Sequence, residues 1–177
     1  MKKYAIALSA LSLALLSGTA SASKGDIHFV GAVSDSTCDL GVTVGGVVSN
    51  TIQLGTTSVN SEGTAVDFDL KPKDATQGGC ASLAATNEVV ISFGAHGLSD
   101  EGLPAQSGLA KDAYVTIYSK NASETATNSV AIKKGNESRK FKGDVIKDTG
   151  AQFKASLVGK TMKGDYQSAV AFVVTYM

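Results

Sequence analysis

The last eleven residues constrain the fold more than any other stretch. From Gln167 the chain reads Gln-Ser-Ala-Val-Ala-Phe-Val-Val-Thr-Tyr-Met. Side chains alternate faces along a strand, so Val170, Phe172, Val174 and Tyr176 share one side. Ala171 and Val173 make the other side apolar as well, which is the pattern of a strand in the middle of a sheet. The run reaches Met177 with no polar tail. Chain ends fray unless they are tied down, so this strand is expected to be covered.

The opposite end carries an export signal. Lys2 and Lys3 precede an apolar run from Tyr4 to Leu16, and Ala20-Ser21-Ala22 reads as a cleavage site. The run is shorter than the ~20 residues needed to span a bilayer. Residues 1–22 are therefore expected to be a signal peptide, leaving 155 of 177 residues. Without Lys2 and Lys3 there are 14 basic against 16 acidic residues, a net charge of −2. That excludes the broad basic field of a nucleic-acid binder.

Cys38 and Cys80 both lie in the exported part. A cysteine pair in an oxidising compartment reads as a disulfide. Closing a 43-residue loop, counted inclusively, is worth about 4 kcal/mol on chain-entropy grounds.

Helical patterning is scarce. Short alternating or β-branched runs predict strands near 26–35, 42–44, 51–54, 65–70, 88–93, 113–118, 129–132, 152–157 and 167–176. Gly45-Gly46 and Gly78-Gly79 are expected at turns needing positive φ, and residues 60–63 and 94–108 as exposed loops. Strands at this spacing indicate one all-β domain, an antiparallel sandwich of the immunoglobulin type. Residues 121–139 are polar and weakly patterned, and are expected to form the largest surface excursion.

Chemistry has little to work with. His28 and His96 are the two histidines, no G-x-S-x-G elbow is present, and no phosphate-cradling glycine loop occurs. The spacing of Cys38, Cys80, His28 and His96 matches no zinc site. No catalytic residue, metal or cofactor is expected. The sequons at Asn121 and Asn136 carry no weight in a bacterial export.

The expected new N-terminus, Ser-Lys-Gly-Asp-Ile-His-Phe-Val-Gly-Ala-Val (23–33), alternates too, placing Ile27, Phe29, Gly31 and Val33 on one face. By itself this could be the first strand of a sandwich. In order and spacing, however, the chain resembles the pilins of the chaperone–usher pathway, the major fimbrial subunits of enterobacteria. The resemblance rests on the signal peptide, the glycine-containing segment Gly25 to Gly31, and Ser36-Thr37-Cys38. It continues through Gly79-Cys80 and Gly164, fourteenth from the end, to the penultimate Tyr176.

The resemblance implies an incomplete immunoglobulin-like sandwich, six-stranded and missing its seventh strand. It divides the mature chain into a donor-strand extension, 23–35, and a pilin domain, 36–177. It implies a periplasmic chaperone that adds a strand beside the C-terminal strand, where Gly164, Val170, Phe172, Val174, Tyr176 and the Met177 carboxylate would be engaged. At an outer-membrane usher, the extension of an identical subunit would then take the chaperone's place, with Ile27, Phe29 and Val33 as plugs and Gly31 where a small residue is required. Repetition would build a head-to-tail fimbria at the cell surface for adhesion to host cells.

Lys133, Lys134, Arg139, Lys140 and Lys142 gather within ten residues. They read either as a solvated flank favouring solubility or as a patch for an anionic host glycan, Arg139 pairing a carboxylate. The remaining readings are a minor adaptor pilin and a small secreted hydrolase.

Overall fold

The computed structural model describes residues 38–177. The expected signal peptide and extension, with Ile27, His28, Phe29, Gly31 and Val33, lie outside the described residues. Ten strands are present: β1 (Leu40–Val44), β2 (Val47–Val48), β3 (Ser61–Glu62), β4 (Val66–Pro72), β5 (Glu88–Phe93), β6 (Leu103–Pro104), β7 (Tyr114–Ser119), β8 (Ser138–Lys142), β9 (Ala151–Gly159) and β10 (Phe172–Tyr176). Two short helices, α1 (Gly78–Ala81) and α2 (Gly143–Asp148), complete it.

The strands form two antiparallel sheets. One runs β2-β1-β4-β9-β7-β6, with β3 also paired to β9; the other runs β10-β5-β8. Their inner faces meet around Phe153 of β9. Its ring stacks on Phe68 at 5.3 Å and meets Phe93 and Phe141 of the smaller sheet edge-on at 5.5 and 5.7 Å. Such aromatic contacts add to the energy of burial alone, and here they join sheet to sheet. The fold is the expected all-β, immunoglobulin-like sandwich.

Period-two patterning positions most of these strands. In β5, Val89, Ile91 and Phe93 are buried and the residues between them are half-exposed. In β9, Ala151, Phe153 and Ala155 face the core. The β1–β2 hairpin turns at Gly45 and Gly46, with φ of 58° and 82°, values that an L-residue with a Cβ rarely adopts. The disulfide is formed: Cys38, just before β1, is bonded to Cys80 in α1.

Four expectations are corrected. Residues 51–54 pair with no strand, although Ile52 and Leu54 pack against the core. Residues 129–132 form no strand either; Ile132 is fully buried and its amide bonds Ile117. Gly78-Gly79 opens a helical turn in place of a positive-φ turn, because the amides of Cys80 and Ala81 both close back on Gln77. The end of the 121–139 excursion is the start of β8, where Arg139 takes an inward position beside Phe141.

Candidate functional site

One long opening interrupts the sandwich, a groove of about 1450 Å³. Its floor is the inner face of the larger sheet, formed by Phe68, Leu70, Val115, Ile117, Ala155 and Leu157. One wall is the extended segment 50–59, with Ile52 and Leu54. The other is residues 162–170 followed by Phe172. Val42, Ile52, Leu54, Leu157, Tyr166, Val170 and Phe172 pack against the core yet stay only partly buried. Phe68, Leu70, Val115, Ile117 and Ala155 of the floor are themselves buried, so the open apolar surface is that of these partly buried side chains.

Beside the groove lies β10, and its position departs from expectation. The apolar run predicted a central strand, but among the described residues β10 is an edge, with β5 as its neighbour. It is also shorter than expected. Ser107 and Gln167 bridge, the Gln106 amide donates to the Ala169 carbonyl at 2.8 Å, and it accepts from the Ala169 amide at 3.2 Å. These bonds fasten residues 167–169 to the 104–107 stretch, so the chain crosses between sheets before β10 begins at Phe172.

The ladder register defines which backbone groups are open. Glu88 and Met177 exchange both of their hydrogen bonds, at 2.9 and 2.8 Å. Paired residues alternate along an antiparallel ladder, so the bonded positions of β10 are Val173 and Thr175. The N–H and C=O groups of Phe172, Val174 and Tyr176 therefore point away from β5, toward the open edge. That row is a template for another strand.

The wall at 161–170 is held by side-chain bonds to backbone. Asp112 accepts from the Thr161 amide and hydroxyl at 2.9 and 2.6 Å and from the Met162 amide. The Thr161 hydroxyl is the main reason its carboxyl lies below the usual carboxylate range. The Tyr166 hydroxyl donates to Leu103 O at 2.9 Å, and Ser168 Oγ to Pro104 O at 2.7 Å. Gly164 sits at a tight point, with φ of 140°, where an added Cβ would run into Leu109 Cβ. No other residue could stand there without moving the wall.

At the far end of β10, the Tyr176 hydroxyl donates to the Cys38 carbonyl. Burial pushes the Tyr176 phenol up to about 12, with nearby Asp39 adding to the shift, and burial does the same to Tyr166. The C-terminal strand is thereby tied to the disulfide-bonded Cys38 at the Ala151 end of β9, and Met162, held by Asp112 just before β7, lies at the other end.

The basic cluster is not one surface. Arg139 is 1% exposed; its guanidinium donates to the carbonyls of Val130, Asn136 and Ser138 and to the Asn136 side chain, and burial depresses its pKa. Its inward turn corrects the expectation that it would meet a carboxylate outside. Lys134, Lys140 and Lys142 are exposed, Lys133 is half-buried, and Lys140 pairs with Glu88 at 3.0 Å. His96 is exposed in a 3-10 turn, and no group of metal-ligating side chains occurs among the described residues.

Sequence comparison decides the family. The chain is 34% identical to the F107 fimbrial protein of Escherichia coli over 174 residues, covering 98% of this chain and 99% of that protein. The chain belongs to the fimbrial protein family. It is a structural subunit of a surface fimbria. The K99 fimbrial protein of Escherichia coli is 28% identical over 192 residues, covering both chains completely. No protein-family model matches. Among solved structures, the P pilus rod subunit PapA aligns with a TM-score of 0.44 and 13% identity, over 87% of this chain and all of that one.

Residues 50–59 and 162–170 were not legible in the sequence as groove walls. Ile52 and Leu54 follow the strand period, and Val170 that of the C-terminal strand, so both stretches read as parts of strands.

Proposed function

We propose that the subunit polymerises by donor-strand exchange, the extension 23–35 of one copy filling the groove beside β10 of the next. The observation that carries this is the coincidence of partly buried apolar side chains, Leu157, Tyr166, Val170 and Phe172 among them, with a β10 edge that no described strand pairs. A strand laid there gains main-chain bonds from Phe172, Val174 and Tyr176 and seats alternate side chains on the floor, which is β-augmentation. Ile27, Phe29 and Val33 supply those side chains, each worth roughly 1.5–3 kcal/mol when buried. Gly31 stands where the resemblance to this family calls for a small residue. The contact is heterologous and open-ended, so it extends a filament and does not close a ring.

A periplasmic chaperone holds the same edge until an outer-membrane usher exchanges it for the next subunit, and the Met177 carboxylate is its anchor. The role is structural, with no catalytic step. An adaptor pilin would use the same groove, and abundance in the fimbria separates it from a shaft subunit. The glycan reading loses Arg139 to the interior and keeps Lys133, Lys134 and Lys140.

Phe29→Asp tests the proposal, because a charge cannot enter an apolar groove unpaired. The variant should accumulate with its chaperone yet give no fimbriae; a wild-type yield of fimbriae would rule out the extension as donor. Gly31→Leu should slow assembly through overpacking, read as the rate at which surface fibres appear.

A further inference from the structure

The two ends of the domain carry complementary surfaces. At the Met162 end of the groove, Leu109 is 66% exposed and Met162 46%. They lie on adjoining stretches, since Gly164 packs on Leu109 and Asp112 binds the Met162 amide. Exposed Lys111 and Lys163 stand in sequence beside them. At the other end Met177 is 62% exposed, next to Tyr176, whose hydroxyl reaches Cys38 O.

We propose that Leu109 and Met162 form a second contact between subunits, receiving the Met177 end of the copy whose extension fills the groove. The inference rests on the donor-strand reading. Every described strand pairing in both sheets is antiparallel, the slightly more stable arrangement. An occupant antiparallel to β10 starts near Tyr176 and leaves the groove at Met162. Its own domain must follow at once, because four residues separate Val33 from Cys38, a span of no more than about 17 Å of extended chain.

The first part of that domain to arrive is the end where Cys38, Tyr176 and Met177 are joined. An exposed methionine then faces an exposed apolar pair, around which the charges of Lys111 and Lys163 are offset by Asp112 and Asp165. The occupant is thus a second copy of this chain, and the contact repeats along the fibre in one polarity.

The test uses full-length subunits carrying Leu109→Cys and Met177→Cys, assembled into fimbriae and oxidised mildly. Most of the chain should then run as covalent multiples after boiling without reductant, while each single variant collapses to monomer. Collapse of the double variant to monomer, repeated with Met162→Cys paired to Met177→Cys, would overturn the contact. If those pairs do not assemble, Leu109→Ser decides: its fibres should fall apart at a lower temperature than wild type, and equal stability would overturn the contact. Deleting residues 23–33 separates the two ideas. Fibres that still form without the extension defeat strand exchange itself, whereas fibres that need it but do not cross-link defeat this surface alone.

Discussion

The two halves of the sandwich are built from the same kind of residue and end in different states. Around Phe153 each alternating apolar side chain finds a partner: Phe141, Val89 and Ile91 are buried, as are Phe68 and Phe93 where the core meets the groove. Along the groove Leu157, Val170 and Phe172 present similar chemistry and remain partly open. Sheet pairing accounts for the contrast. β5 is flanked by β10 and β8, whereas among the described residues β10 is flanked by β5 alone. Stability is therefore concentrated in the closed half, and the open half holds binding energy that a second chain can use.

Removing Phe153 should break the comparison most severely. Phe153→Ala empties the junction of both sheets and should cost about 3–5 kcal/mol, read from denaturant unfolding of the purified subunit. Next comes the disulfide: replacing Cys38 and Cys80 together by serine should cost about 4 kcal/mol, since the bond closes a loop with a sequence separation of 42. Val170→Asp sharpens the contrast from the open side. Val170 is only partly buried, so unfolding of the lone subunit should shift by no more than ~1 kcal/mol while fimbria yield falls to background. Equal losses from Val170→Asp and Phe153→Ala in both assays would erase the distinction between the halves.

Tyr176→Phe should be milder, about 1 kcal/mol, because one hydrogen bond to the Cys38 carbonyl is lost. The smallest effect is with pH. Tyr166 and Tyr176 ionise near 10 in the unfolded chain and near 12 in the folded one. Their contribution is whole below pH 10 and is lost as pH rises from 10 to 12. Unfolding midpoints followed across that range should fall for wild type and fall less for Tyr176→Phe.

Strands with clean alternation were legible in the sequence: β5 matches its predicted span residue for residue, and β4, β7 and β9 lie within two residues of theirs. β8 was hidden because an arginine holds one of its two inward positions, and Ser138, Lys140 and Lys142 make the rest look like a polar loop. Such a residue can face inward only because nearby carbonyls accept from its two terminal nitrogens, and those of Val130 and Asn136 lie on a loop whose path local pattern does not encode. The C-terminal strand was legible as apolar on both sides, yet its edge position was not. A sequence shows which residues need covering and does not say which chain covers them. The wall at 162–170 was silent for another reason, being held by Asp112, Gln106 and Tyr166 through side-chain bonds to backbone that leave no periodic signal.

Hydrogen exchange at β10 tests the central claim most directly. Amides of Phe172, Val174 and Tyr176 point to the open edge, and those of Val173 and Thr175 bond β5. In subunits before assembly the first set should exchange at least ~100-fold faster than the second; in fimbriae both sets should be protected. Deleting residues 23–33 should remove the gain. Equal protection of both sets before and after assembly would contradict the account, because the edge that is proposed to receive a strand would not be the one that changes.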